Sequence, residues 1–112
     1  MPGITTHVLD TSLGKPAAGI PVSLSVREGS VSRELGRSIT DADGRVRQLA
    51  PEALLAVGSY VLTFETNDYF RAAARETFFQ RITLELFVAD ANQNYHVPLL
   101  LSPFGYTTYR GS

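Results

Sequence analysis

Apolar and polar residues alternate with a period of two along most of this chain, the mark of strands that bury one face. Thr5–Leu9 sets Thr5, His7 and Leu9 on one face and Thr6 and Val8 on the other. Pro21–Val26 sets Val22, Leu24 and Val26 against Ser23 and Ser25. Val31–Thr40 predicts a longer, more polar strand interrupted at Gly36, and Arg45–Leu49 a short returning one. In Ser59–Thr66 the residues Tyr60, Leu62 and Phe64 share a face, and in Ile82–Ala89 so do Ile82, Leu84, Leu86 and Val88. The last stretch is an apolar run from Tyr95, a Ser102-Pro103 break, and an aromatic, hydroxyl-rich run, which predicts two final strands joined at a tight corner.

Turn chemistry punctuates these runs at Gly14-Lys15-Pro16, Glu28-Gly29-Ser30, Asp41-Ala42-Asp43-Gly44 and Asp90–Asn94. Pro51–Val57 predicts a loop with Leu54 and Leu55 tucked inward. The period changes once. Asp68 suits an N-cap, and the Ala-rich run behind it predicts a short helix over 68–76. Seven to eight short strands with one helix predict an all-β, antiparallel β-sandwich, a single domain over residues 1–112.

Composition narrows the function classes. The 112 residues include no cysteine, which excludes disulfides and thiolate metal sites. A net charge of −1 supplies no general field for nucleic acid or an anionic membrane, so neither is an expected partner. There is no basic leader followed by an apolar segment and no apolar run of about 18 residues, so a cytoplasmic protein is expected. The ten basic residues are nine arginines and Lys15, and a guanidinium offers a planar fork for carboxylates, carbonyls or heterocycle edges.

Candidate chemistry concentrates in few residues. The two histidines, His7 and His96, lie at opposite ends of the chain, each in a predicted strand. His96 shares its face with Pro98, which cannot donate to a ladder, so that strand is an edge or its N–H position faces outward there. A neutral imidazole can take a proton from water near pH 7. Arg45 follows the Asp43-Gly44 turn, and its guanidinium suits a developing oxyanion. On residue pattern alone, each of these also reads as a packed histidine or a solvated arginine. The Asp41–Gly44 turn is no calcium loop, because an EF-hand with Gly44 at its sixth position needs Glu where Ala50 stands. No phosphate loop, zinc-protease helix or nucleophile elbow is present, so no metal or cofactor is expected.

Three stretches together carry a resemblance. They are Thr5-Thr6-His7-Val8-Leu9-Asp10-Thr11 with Gly14-Lys15-Pro16-Ala17, then Asp43-Gly44-Arg45, then Leu100–Thr108 closing on Tyr109-Arg110-Gly111-Ser112. The chain resembles the transthyretin-related 5-hydroxyisourate hydrolase family over essentially its whole length. The resemblance implies a transthyretin-like sandwich of two four-stranded sheets with the helix after the fifth strand. It implies ring-opening hydrolysis of 5-hydroxyisourate without a cofactor. His7 and His96 would orient and deprotonate water, and Arg45 would hold substrate and oxyanion. Tyr109, Arg110, Gly111 and Ser112 would wall the site, with Ser112 and its terminal carboxylate at the catalytic group and orienting one histidine. The implied assembly is a homotetramer, a dimer of dimers with the sites in the channel between them. The alternative is a transthyretin-like carrier of a small aromatic ligand in that channel. Many family members carry a histidine two positions before the one matched by His96; this chain has Asn94 there.

Overall fold

The computed structural model describes residues 3–49 and 55–111. The expected roles of Leu54 and Ser112 lie outside the described residues. The described chain forms β1 (Ile4–Asp10), β2 (Lys15–Pro16), β3 (Pro21–Glu28), β4 (Val31–Ile39), β5 (Arg45–Val46), β6 (Gly58–Phe64), α1 (Thr66–Ala72), β7 (Ile82–Val88), β8 (Tyr95–Ser102) and β9 (Gly105–Thr108). Two sheets result. One runs β4-β3-β6-β7; the other runs β2-β1-β8-β9, with β5 also paired to β1.

The alternation read from sequence decides which side of each strand is buried. In β1 the core side is Ile4, Thr6, Val8 and Asp10, while Thr5, His7 and Leu9 face away. Leu24, Leu62, Phe64, Ile82, Leu99 and Leu101 meet Val8 between the sheets, all essentially inaccessible to solvent. Truncating one of the larger of these to alanine costs about 3–5 kcal/mol, because the neighbours collapse only partly into the void. The interruption foreseen at Gly36 is a register shift between Leu24 and Ser25, with Leu35 the unpaired residue beside Gly36. Among the described residues no helix is long and apolar enough to cross a membrane.

Three expectations need correction. First, the sheet carrying β1 has five members, two of them only two residues long, and its β1–β8 pairing is parallel; every other pairing is antiparallel. Second, the returning strand ends at Val46 rather than Leu49, although Leu49 is still buried. Third, the helix spans Thr66–Ala72 instead of 68–76, with Glu65 as N-cap and Asp68 inside the first turn. Thr66 and Phe70, one turn apart, are both fully buried, so packing starts the helix two residues early. Asp68 still complements the positive end of the helix. The C-terminus is cut short by Ala74, whose φ of 57° is left-handed, while Arg75 N–H bonds back to the Phe70 carbonyl at 2.9 Å.

That early stop delivers the Arg75 side chain to Asp10. The Asp10 carboxylate is fully buried and accepts from Arg75 at 2.8 Å, from the Tyr69 hydroxyl at 2.7 Å and from the Ser12 hydroxyl at 2.6 Å. Burial alone raises its pKa, but the hydrogen bonds from Arg75, Ser12 and Tyr69 together with the Arg75 charge outweigh burial and bring it down to about 2. The network ties α1 to the end of β1.

Because Asp10 titrates lower folded than unfolded, its stabilisation is present above pH 3.8 and is lost as pH falls from there towards 2. Arg75→Ala leaves a buried carboxylate without its cation and is expected to cost about 3 kcal/mol at pH 7. It should also flatten the loss of stability in that acid window. Urea titrations at pH 7 and pH 3 check this; a variant as stable as the parent at pH 7 contradicts it.

Candidate active site

The turn at 41–44 aims Arg45. Asp41 Oδ1 accepts the N–H groups of Asp43 at 2.9 Å and Arg45 at 3.0 Å, and Gly44 N–H bonds the Asp41 carbonyl at 2.9 Å. The Arg45 N–H contact is the main reason the Asp41 carboxyl titrates below its usual range. Gly44 has φ of +75°, and a Cβ there would sit 2.3 Å from the Val8 carbonyl oxygen. Only glycine lets the turn come this close to β1. The contact is completed by Val8 N–H donating to the Gly44 carbonyl at 2.7 Å, and the next residue, Arg45, then pairs directly with His7.

His96 arrives from the other end of the chain. Parallel pairing sets Thr5 opposite His96 and His7 opposite Pro98. Side chains in register on one face of a parallel pair are neighbours, and Thr5 Oγ1 lies 2.8 Å from His96 Nδ1. Three elements, β1, β5 and β8, thus bring His7, Arg45 and His96 to the outward face of one sheet. Burial pushes the His96 pKa down, with further lowering by the positive charge of Arg45 and by His7. The ring is therefore neutral at pH 7 and able to accept a proton.

The Pro98 puzzle resolves without an edge strand. β8 lies between β1 and β9. β9 pairs with β8 as far as Leu99–Thr108, and the same register returns at a single bridge between His96 and Gly111. Pro98 falls in the gap, where its carbonyl accepts the Thr108 hydroxyl at 2.8 Å. Beyond the gap, Gly111 N–H donates to the His96 carbonyl at 2.7 Å. A Cβ at Gly111 would lie 2.8 Å from His96 Cδ2, so glycine is needed for this approach too.

The terminal residues divide. Gly111 touches His96, and Tyr109, two residues earlier, is exposed. Arg110 does not join the histidines. It donates to Gln93 Oε1 at 2.7 Å and lies 4.5 Å over the Tyr95 ring. Tyr95 and Val97 belong to the buried side of β8, and with Leu84, Leu86 and Arg110 they line a cleft of about 420 Å³ between the sheets. Sequence reasoning passed over Thr5. Its alternation with His7 was visible, but only the β1–β8 register shows that it meets His96. Among the described residues no three His, Cys, Asp or Glu side chains converge as a metal-ligand set.

The model of the HIUase/Transthyretin family matches residues 4–111. The chain is 47% identical over 116 aligned residues to the 5-hydroxyisourate hydrolase of Caulobacter vibrioides, covering 100% of both chains. The structure of Klebsiella pneumoniae 5-hydroxyisourate hydrolase matches with a TM-score of 0.86 at 39% identity, over 97% of this chain and 98% of that one. Sea bream transthyretin in complex with thyroxine matches with a TM-score of 0.90 at 25% identity, over 96% of this chain and 93% of that one. Sequence likeness over the full length and a shared fold lead to one conclusion: this chain belongs to the HIUase/transthyretin family.

Proposed function

We propose that this chain hydrolyses 5-hydroxyisourate, opening the ring at an amide bond to give 2-oxo-4-hydroxy-4-carboxy-5-ureidoimidazoline. The observation that carries the reading is the meeting of His7, Arg45 and His96 on one sheet face, in a chain 47% identical to a relative named for that activity. A carrier has no need of a neutral imidazole beside a guanidinium. The likeness to the thyroxine-bound transthyretin is also the more distant in sequence, 25% against 39% for the hydrolase structure.

In this reading His96 takes a proton from water as the water oxygen attacks the amide carbonyl carbon. His7, next to Arg45 across the β1–β5 pair, orients the water. The carbonyl oxygen gains negative charge, which the Arg45 guanidinium holds. The carbon–nitrogen bond breaks, the proton passes from His96 to the leaving nitrogen, and the new carboxyl group releases the second water proton to solvent to end as a carboxylate. Tyr109 and Gly111 wall the site; Arg110 serves it by anchoring the terminal segment to Gln93 and Tyr95.

The assembly proposed is a homotetramer, a dimer of dimers. β4, β7 and β9 end their sheets among the described residues, and an open edge tends to recruit another strand. Phe87, 64% exposed on β7, adds apolar surface at one of these edges.

Freshly generated 5-hydroxyisourate should lose its ultraviolet absorbance far faster with the protein than without it, and a chelator should not slow it. His96→Ala and Arg45→Ala should each lower turnover by about 100-fold or more with the fold retained. No acceleration by the parent protein sinks the reading. The acid limb of kcat/KM should have its midpoint below 6.5, since the base is lost only as pH falls through the lowered folded-state pKa of His96. Arg45→Met removes a positive neighbour and should move that midpoint up. By the same sign, His96 withdraws stability as pH falls from 6.5 towards its folded-state value. Light scattering at micromolar concentration should give four times the chain mass; a monomer contradicts the assembly.

A further inference from the structure

The neutral His96 ring has two tautomers, and only one of them leaves a free lone pair on a given nitrogen. The ring is held at both atoms bonded to its Cγ. On one side Nδ1 is 2.8 Å from Thr5 Oγ1. On the other, Gly111 packs so closely on Cδ2 that a Cβ would lie 2.8 Å away. Among the described residues no hydrogen bond engages the Cε1–Nε2 end of the ring. Among the described residues Thr5 Oγ1 has no other hydrogen-bond partner, so nothing competes with His96 for it.

We propose that Thr5 is a positioning residue that accepts a hydrogen bond from His96 Nδ1–H, fixing the tautomer in which Nε2 is the proton acceptor. The inference rests on geometry for the Thr5–His96 contact, and on the hydrolase reading for the choice of tautomer and its catalytic consequence. Its chemistry is balanced at each stage. In the resting ring Nδ1–H donates to Thr5 Oγ1 and Nε2 carries the lone pair. When Nε2 takes the proton from water, the imidazolium keeps its Nδ1–H on the same oxygen, and that hydrogen bond becomes charge-assisted. No hydroxyl has to rotate and no proton has to cross the ring. In the opposite arrangement, the Thr5 hydroxyl donates to Nδ1, Nε2 carries the hydrogen, and the free end of the ring cannot act as a base.

β1 and β8 supply the partners at one rung of a parallel ladder, which explains why a threonine is suited to the place. Its β-branched side chain favours a strand and has restricted χ1, so the hydroxyl is held in position. Serine keeps the hydroxyl and gives up some of that restriction. Valine keeps the shape and strand preference and loses the oxygen.

The experiment compares the full-length parent, Thr5→Val and Thr5→Ser. Ring ¹⁵N and ¹³C chemical shifts of His96 at pH 8 should show Nδ1 protonated in the parent and in Thr5→Ser, and a mixed or Nε2-protonated ring in Thr5→Val. Thr5→Val should lower kcat by roughly 10- to 100-fold, the range seen when an orienting partner is removed from a histidine at a metal centre, with KM little changed. Thr5→Ser should recover to within a few-fold of the parent. Nε2 protonated in the parent overturns the proposal, as does a Thr5→Val protein with the parent's ring tautomer and kcat. A parent that leaves the substrate to decay spontaneously overturns the hydrolase reading instead; the ring shifts then decide the Thr5 assignment on their own.

Discussion

The parallel, in-register pairing of β1 with β8 is the constraint on which the rest depends. Seven consecutive residue pairs, Ile4–Tyr95 to Asp10–Leu101, join the start of the described chain to its final third. Because side chains alternate across a strand, a slip of one residue would turn His96 into the core and expose Val97. The burial of Val8, Leu99 and Leu101 therefore does more than stabilise the sandwich. It fixes the register that stands Thr5 next to His96.

Two close backbone approaches complete what the register begins. At Gly44 the turn touches Val8, so Arg45 enters β5 opposite His7. At Gly111 the terminal segment touches His96 after the gap left by Pro98. A Cβ at either place would lie less than 3 Å from its neighbour, nearer than packed atoms sit. A side chain at Gly111 would meet the His96 ring itself, and one at Gly44 the backbone of Val8, the residue next to His7. Stability and the proposed chemistry thus place different demands on neighbouring residues of the same strands.

Much of this was legible in the chain. Alternation marked each of the long strands and the buried side of β6 and β7, because a period of two is a local property. The outward pairing of Thr5 with His7 was legible for the same reason. What lay beyond local reading was set by contacts distant in sequence. The limits of α1 follow from the burial of Thr66 and Phe70 and from the pull of Asp10 on Arg75, so neither Asp68 nor the alanines could reveal them. Parallel pairing of β1 and β8 has no signature in either strand. Arg110 was expected at the site because the resemblance makes the terminal segment its wall; the side chain instead bonds Gln93 and lies over Tyr95.

The two faces of β1 show how one strand keeps a structural charge apart from a chemical one. Asp10 is buried on the core side and ionised, and Arg75 stands against it. Three residues earlier, His7 faces outward beside Arg45, where the charges acting on His96 come from Arg45 and His7. Arg45 has opposing effects on the proposed reaction. Its charge makes His96 a weaker base, which lowers the driving force for taking a proton from water. The same charge keeps the ring unprotonated at neutral pH and lies where negative charge develops on the carbonyl oxygen. A carboxylate on the outward face beside His96 would strengthen the base and repel that developing charge. The one carboxylate of β1, Asp10, lies five rungs from the Thr5–His96 pair and is turned inward onto Arg75, so the outward face at His96 keeps a neutral imidazole and a cation, the combination suited to water attack on an amide carbonyl.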